Sequence, residues 1–429
     1  MSASESRKAA PEEDERDRAA TGSTARRDVL VGGLLAIAGA LLHALCVPDS
    51  LRERSDLAHY LESAARWALD DAAPYREIPF EYPPAALLFL RLPVALVSSG
   101  LLHFESALAL VLAPFDALAL FSAFWIARLS SMQREQSGHG LAHESNSRAL
   151  LPEVATFAFA WCALLLCGSV LFTRFDLAPA ALLALSVALL ATSADLANIG
   201  GAALGAAAAL KLYPFWAAPA LCVPLVRAHR LGRPVASGLV AALLLSLPAM
   251  LPAGASAFSF LGYHASRGVQ MQSLWGSLWM VLGQQGLAHV ELAHRFGAEE
   301  VTSAPAALGL IGTLLPIAWM LLCARVATRT QVHLAALCAL CGFVAFGKIG
   351  SPQFSIVLAP LAAAALFDAP LAALCVLGSI ALGAWQFPFH HQELVQNQGP
   401  WAAVGLVRML LVASAAISLA LKRSPSRPR

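Results

Sequence analysis

Residues 28–47 read DVLVGGLLAIAGALLHALCV, a predominantly apolar run that begins directly after Arg26 and Arg27. A helix of this length covers the hydrocarbon core of a bilayer, which is about 30 Å thick. The run is too long for the apolar core of a signal peptide and lacks a small-x-small cleavage site, so we predict an uncleaved transmembrane span. Basic residues favour the cytoplasmic side of a span, so Arg26 and Arg27 predict a cytoplasmic N terminus.

The composition extends this interpretation to the whole chain. Of 429 residues, 58% are hydrophobic and 13% are charged, whereas a soluble domain carries about 25% charged residues. So few polar groups cannot cover a water-exposed surface of this size, which excludes a soluble globular enzyme, a disordered protein and a secreted disulfide scaffold. The sequence predicts an all-α polytopic membrane protein.

Further apolar runs predict a bundle of about 12 transmembrane helices, with 11 to 13 as the range. The run from Pro83 to Val97 is short and contains Arg91 and Pro93, so we interpret it as a re-entrant or interfacial helix. Counting it as a span would place the later basic loops outside, against the positive-inside rule. The predicted spans are 28–47, 104–127, 153–172, 176–192, 198–212, 214–226, 235–253, 304–323, 331–347, 353–367, 370–386 and 400–421.

Charge positions then divide the chain into regions. Residues 1–27 are polar and of mixed charge, which predicts a disordered cytoplasmic tail. The transmembrane domain is predicted over 28–421, and the basic tail 422–429 is predicted to be cytoplasmic. Two long loops, 48–103 and 254–303, fall on the external side, and long loops of this kind tend to carry function. We predict a bacterial inner (plasma) membrane location with both termini in the cytoplasm.

Several motif blocks lie on this external side and follow one another in order. They read SDLAHY (55–60), APYREIPFEYPPAALLFLRLP (73–93), TRFDLAPAALLALSVALL (173–190), GAALGAAAALKLYPFWAAP (201–219), GYHASRGVQMQSLW (262–275) and GKIGSPQF (347–354). Over about residues 28–420 the chain resembles glycosyltransferase family 87, whose members include polyprenyl-phosphate-mannose-dependent mannosyltransferases of the GT-C superfamily. The resemblance implies a GT-C-type bundle with a catalytic first external loop.

The resemblance places the catalytic carboxylate at Asp56. An inverting transfer needs one base to take the proton of the acceptor hydroxyl, and no covalent sugar–enzyme intermediate is required. Glu53 and Glu81 are alternative bases. The competing interpretation is structural, because Asp56 before LAHYLESAARWAL is also a plausible helix N-cap.

A lipid-phosphate leaving group needs cations or hydrogen-bond donors at the membrane surface. His264 and Arg267 lie three residues apart, so one helical turn would direct both at the same anion. Lysines at the ends of apolar runs can instead reach the interface as simple anchors, an alternative that stays open for Lys211 and Lys348. The predicted donor-phosphate set is Tyr263, His264, Arg267, Lys211 and Lys348.

Other external residues are candidates for the sugar or the acceptor. Glu81 and Tyr82 could hydrogen-bond a sugar, and Gln353 could face the site. Arg174 and Asp176 could contribute to the site or pair with each other in a structural turn. The predicted set is Glu81, Tyr82, Arg174, Asp176 and Gln353.

The sequence predicts no metal site and no cofactor. Adjacent His390 and His391 point to different faces of a helix or strand, which does not match a ligand pattern. Cys338 and Cys341 form a CxxC inside an apolar run, where helical packing explains the spacing better than redox or metal chemistry. A DxD nucleotide-sugar motif is missing from the sequence, which suits a lipid-linked donor. The scattered basic residues give no support for nucleic-acid binding.

We therefore expect an integral membrane hexosyltransferase that transfers mannose and inverts the configuration of its anomeric carbon. Its partners would be a polyprenyl-phosphate sugar donor, a lipid or glycan acceptor and membrane lipids. The alternative from another class is a lipid or solute transporter or flippase without chemistry, and a third possibility is a GT-C relative that uses another sugar or a protein acceptor. Transporter pathways are marked by intramembrane charges and internal repeats, and we find no convincing repeat.

Overall fold

Apolar residues dominate the chain, and the computed structural model places most of the residues it describes (6–136, 150–193, 195–327 and 331–422) in helices. The helices of the first half are α1 Ser6–Cys46, α2 Leu57–Leu69, α3 Pro84–Ser98, α4 Phe104–Gln136, α5 Leu151–Leu166, α6 Gly168–Leu171, α7 Leu177–Thr192, α8 Ala197–Leu210 and α9 Ala218–Arg227. The second half contains α10 Gly232–Ala253, α11 Ser259–Ser266, α12 Leu274–Gln284, strands β1 Leu292–Arg295 and β2 Ala298–Val301, α13 Ala306–Val326, α14 Val332–Phe346, α15 Phe354–Ala364, α16 Pro370–Gln386, α17 His391–Val395 and α18 Trp401–Leu421. The predicted helical membrane architecture is confirmed.

Among the described residues, five helical segments are long and apolar enough to cross a membrane, and seven further apolar helices are shorter. The shorter set includes α3, which covers the run predicted as re-entrant or interfacial. The predicted span 214–226 is divided between a 3-10 turn, Tyr213–Ala217, and α9. The five long segments are Arg26–Cys46, Phe104–Glu135, Gly232–Ser266, Ala306–Val326 and Trp401–Leu421.

The two predicted tails are described only in part. Helix α1 begins at Ser6, so its backbone is helical through most of the segment predicted to be disordered. This segment contains many Ala, Glu and Arg residues, which favour continuation of a helix once it has formed. Of the basic tail 422–429, only Lys422 lies within the described residues.

Small residues set the closest helix–helix approach in the bundle. Gly201 and Gly205 on α8 face Pro234 and Gly238 on α10, with backbone in direct contact with backbone. A Cβ added at Gly205 would lie 2.0 Å from the carbonyl oxygen of Gly238. This small-xxx-small contact is the means by which membrane helices gain packing energy without a hydrophobic driving force.

The loop 254–303 carries an antiparallel hairpin of β1 and β2, which the sequence analysis did not predict. Phe296 and Gly297 form its two-residue turn, both with positive φ, as the preferred hairpin turns require. In the sequence, the signal for the hairpin was the pair Phe296-Gly297 between two short runs that mix polar and apolar residues. Together with α12, α17 and the start of α18, the hairpin encloses a small separate core around Met271, Met280 and Trp401.

Candidate functional site

Asp56 stands at the N-terminal end of α2, in the first of the two long loops, 48–103. It occupies the N-cap position, yet its carboxylate accepts no hydrogen bond from the helix backbone. Its Oδ2 atom accepts a hydrogen bond from the Tyr60 hydroxyl at 3.2 Å, and the side chain is 27% exposed. The position therefore agrees with the capping alternative, but the carboxylate is directed to other partners and remains open to solvent.

Arg174, which lies between α6 and α7, binds two carboxylates of the first loop at once. Its guanidinium forms ion pairs with Glu53 and with Asp56, and it donates to the Ser55 hydroxyl at 3.1 Å. The predicted alternative, a pair between Arg174 and Asp176, is wrong, because Asp176 is bound elsewhere. Arg174 thus fixes the predicted base and its first alternative, Glu53, in one cluster.

The environment of Glu53 favours its charged form. Burial raises the pKa of Glu53, but the Arg174 guanidinium and the Ser55 backbone N–H lower it more, so the pKa lies below its usual value. Its Oε1 atom accepts the Ser55 N–H at 2.6 Å. A guanidinium and a backbone N–H thus stabilise the charged form of this carboxylate.

A series of tyrosine side chains extends from Asp56 into the interior of the protein. The Tyr60 hydroxyl that donates to Asp56 lies 3.5 Å from the Tyr82 hydroxyl, and the Tyr75 hydroxyl donates to the Tyr82 carbonyl at 2.6 Å. Tyr82 is 7% exposed and packs edge-on against Phe175. Tyr82, predicted to contact a sugar, is instead part of the buried aromatic support beneath Asp56.

Lys211 and Asp176 form a buried ion pair beside this support. The Lys211 ammonium donates to both carboxylate oxygens of Asp176 at 2.7 Å. It also lies 4.8 Å and 4.9 Å from the ring centroids of Tyr82 and Phe175, and the Tyr213 hydroxyl donates to the Asp176 carbonyl at 3.0 Å. These contacts give Lys211 a structural role that the phosphate prediction did not include.

Glu81 is paired with His59, a residue that the sequence analysis missed. The His59 Nε2 atom lies 2.8 Å from Glu81 Oε2, and the imidazole stacks on Phe80. The bond to Glu81 raises the pKa of His59 despite partial burial. Burial raises the pKa of Glu81, but His59 lowers it more, so the pKa lies below its usual value. Helical spacing could have identified His59, because residue 59 is one turn after Asp56.

Helix α11 brings a second group of polar residues to the same region. Tyr263 and His264 are half-buried with their rings in edge-on contact, and Arg267 follows the helix end. His264 lies close to the Glu81 backbone and to the charge of Arg267. Tyr263 and His264, two of the residues predicted to hold the donor phosphate, thus lie near Glu81 of the first loop.

Lys348 contacts the end of α11, whereas Gln353 lies at the start of α15. The Lys348 ammonium donates to the carbonyls of Ala265 and Arg267 at 3.2 Å and 2.5 Å. A lysine on the last carbonyls satisfies acceptors that a helix leaves open, so Lys348 holds the end of α11 in place. Gln353 is a partly exposed residue at the N-cap of α15.

The motifs set aside in the sequence have structural partners. The His390 ring stacks on Trp401 and its Nδ1 atom contacts Glu393. All eight cysteines are free, and Cys338 contacts Cys323 of α13 at 3.5 Å rather than its CxxC partner. Within the described ranges, no group of three or more His, Cys, Asp and Glu side chains is placed to hold a metal ion.

Comparison with known proteins gives one family match. The model described as glycosyltransferase family 87 matches residues 80–347. Two solved structures of ArnT from Cupriavidus metallidurans are similar to the chain, each at 16% identity. The structure bound to undecaprenyl phosphate has a TM-score of 0.45 and covers 90% of this chain and 76% of ArnT. The apo structure has a TM-score of 0.42, with 94% and 77% covered. No curated protein sequence matches the chain.

The matched segment covers more than half of the chain. It contains Glu81, Arg174, Lys211 and Arg267, whereas Asp56 precedes it. The resemblance seen in the motif blocks is therefore confirmed at the level of the family. The chain belongs to glycosyltransferase family 87.

Proposed function

We propose that the protein transfers a hexose, mannose in the first instance, from a polyprenyl-phosphate donor to a lipid or glycan acceptor on the extracytoplasmic side of the membrane. The observation that supports this most directly is the state of the Asp56 carboxylate. It is partly exposed, is not used for helix capping and is joined to Arg174, which lies in the segment that matches the family.

In the proposed reaction Asp56 is the general base. It takes the proton of the acceptor hydroxyl while that oxygen forms the new bond to the anomeric carbon and the donor phosphate leaves from the opposite face. Direct displacement of this kind inverts the anomeric centre and needs a single carboxylate. The Tyr60 hydroxyl and the Arg174 guanidinium hold the carboxylate in position, which is how an enzyme converts a bimolecular step into an oriented one.

The leaving phosphate needs positive charge or hydrogen-bond donors. We assign this role to Arg267, His264 and Tyr263, which α11 brings towards the first loop. Lys211 and Lys348 support the site indirectly, since the first is paired with Asp176 and the second holds the end of α11.

The substitution Asp56→Asn tests the assignment of the base. We expect transfer to fall at least about 100-fold, because loss of a general base costs about 10²–10⁴ in rate, while expression and fold persist. The assay uses purified protein in lipid nanodiscs, labelled polyprenyl-phosphate mannose and a membrane lipid extract, with identification of the labelled product. Asp70→Asn is the matched control, because Asp70 is an exposed carboxylate at the other end of α2. Full activity of Asp56→Asn would exclude Asp56 as the base.

A transport or flippase function remains the second candidate, and one structural feature favours it. Two ion pairs are buried between α1 and α4, His43 with Asp116 at 2.7 Å and Arg128 with Asp28 at 2.9 Å. Ionisable residues inside a membrane often mark transport pathways. Lipid scrambling by reconstituted protein, without transfer from any polyprenyl-phosphate sugar, would support this alternative over glycosyl transfer.

A further inference from the structure

A cavity of about 580 Å³ lies between the hairpin of the second external loop, the segment after α11 and the start of α13. Its volume is within the range of small-molecule sites, about 300–1,000 Å³. None of the residues that line it was predicted to take part in the site. The cavity has an apolar wall at Pro305, Ala306 and Gly309, and polar groups opposite, at Arg295, Glu300 and Thr302.

Glu300 is the feature that distinguishes this cavity from an ordinary surface recess. The residue is 4% exposed and lines the cavity. One carboxylate oxygen, Oε1, accepts the Gly268 backbone N–H at 2.7 Å, and Oε2 has no hydrogen-bond donor among the described residues. The Oε2 atom is therefore available to accept a hydrogen bond from a ligand in the cavity.

The charge of the cavity indicates which chemistry it accepts. The basic group is Arg295 and the acidic group is Glu300, so the lining is close to neutral. The Gly268 N–H, which could otherwise bind an anion, is already taken by Glu300. An anion gains no net attraction from a lining whose charges cancel, whereas hydroxyl groups can donate to Glu300 and accept from Arg295. These features suit a neutral ligand with many hydroxyls.

The position of the cavity indicates that this ligand is attached to a lipid. Its apolar wall is the beginning of α13, a helix long and apolar enough to cross a membrane. Directly below the wall, α13 exposes Leu310 and Leu314, at 59% and 54%. An amphiphile could therefore lay its hydrocarbon chain along α13 and place its headgroup in the cavity, as interfacial lipid ligands do.

An aromatic pair connects the cavity with the residues around Asp56. Phe296 lines the cavity from the hairpin turn, and its ring packs edge-on against Tyr263 at 5.0 Å between centroids. Phe296 has a positive φ of 52°, an unusual backbone conformation for a bulky side chain. The hairpin therefore keeps this residue in a strained turn while its ring contacts the α11 cluster.

We propose that this cavity binds the hydroxyl-rich headgroup of a membrane-anchored acceptor lipid, an inference that rests on the proposed glycosyl transfer. The lipid chain lies against α13, and Glu300 and Arg295 hold the headgroup. The Phe296–Tyr263 pair borders its path towards Asp56. The donor phosphate is held separately, by the α11 residues.

The substitution Glu300→Gln tests this by kinetics with each substrate in turn. The amide oxygen can still accept the Gly268 N–H, but the charged acceptor is lost. We expect the KM for the acceptor to rise about tenfold or more, the usual effect of losing a charge-assisted hydrogen bond, with the KM for the donor unchanged. Glu299→Gln is the matched control, because it removes a carboxylate at the adjacent position of β2, where Glu299 pairs with His294.

A second variant separates ligand binding from local folding. Ala306 is exposed and lines the cavity, so Ala306→Trp fills the space without touching the Glu300–Gly268 bond. It should raise the acceptor KM in the same way and leave thermal stability unchanged. An unchanged acceptor KM in both variants would overturn the proposal.

Photo-labelling tests whether the cavity binds a ligand without requiring catalytic turnover. The probe is n-octyl α-mannoside carrying a diazirine, used with the protein in nanodiscs, since sugar-headed detergents would compete for the cavity. We expect the label within residues 295–309 and its loss in Ala306→Trp. Labelling elsewhere, or labelling unaffected by either variant, would refute the site. If the wild-type protein labels here but transfers no sugar, the proposed function fails while the binding site stands.

Discussion

The buried pair of Lys211 and Asp176 gives the sharpest test of how the site is built. Asp176 is fully buried and Lys211 is 7% exposed. The substitution Lys211→Met leaves the Asp176 carboxylate in the interior without its ammonium partner. Removing one member of a buried ion pair costs about 3–5 kcal/mol in free energy of unfolding, and we expect a loss of that size.

The double variant Lys211→Met, Asp176→Leu separates the charge effect from packing. Replacing both members of a buried pair with apolar side chains is often close to neutral, and a methionine sulfur packs well against the rings of Tyr82 and Phe175. We therefore expect the free energy of unfolding to return to within about 1 kcal/mol of the wild-type value.

Titration with a denaturing detergent, followed by tryptophan fluorescence, measures these free energies, and glycosyl transfer is measured on the same preparations. The structural role predicts that Lys211→Met is unstable and that the double variant recovers. If Lys211→Met is as stable as the wild type but has lost transfer, then Lys211 is a substrate-binding cation and the ion-pair reasoning is refuted.

Two further predictions concern a titrating pair and a packing contact. Because Glu81 raises the pKa of His59, the pair's stabilisation should be fully present below the ordinary histidine pKa, about 6.5, and be lost as pH rises through the raised value. The melting-temperature difference between wild type and His59→Gln should therefore shrink at alkaline pH, and a difference that grew there would contradict the pairing. Gly205→Leu should strongly reduce the yield of folded protein, because even a Cβ would meet the Gly238 carbonyl oxygen at 2.0 Å. Size-exclusion chromatography would show this loss, and a normal monodisperse yield would show that α8 and α10 do not pack as described.

Much of the fold could be predicted from the sequence because hydropathy is a local property. Each apolar run carries its own signal, so the helical membrane architecture followed without knowledge of tertiary contacts. Helix ends were less predictable, as in the run 214–226, where Pro214 lies in the 3-10 turn that precedes α9. The hairpin β1–β2 was missed because its strands are only four residues long, too short for a clear periodic pattern.

The candidate site, like the fold, could be predicted from the sequence only in part. Its residues were found as charged and polar residues within motif blocks, and the family follows from those blocks. Their partners were not predictable, because Arg174 reaches Glu53 and Asp56 across more than a hundred residues of chain. The nearer alternative, Arg174 with Asp176, was wrong for the same reason.

By itself the sequence determined that this chain is a helical membrane protein and a member of its family. Both depend on residue type and order along the chain. Only the tertiary structure decided which carboxylate stays partly exposed, which lysine is buried in an ion pair and where a cavity forms beside the hairpin. Those outcomes depend on distances between segments remote in sequence, since electrostatic pairing and burial act through space.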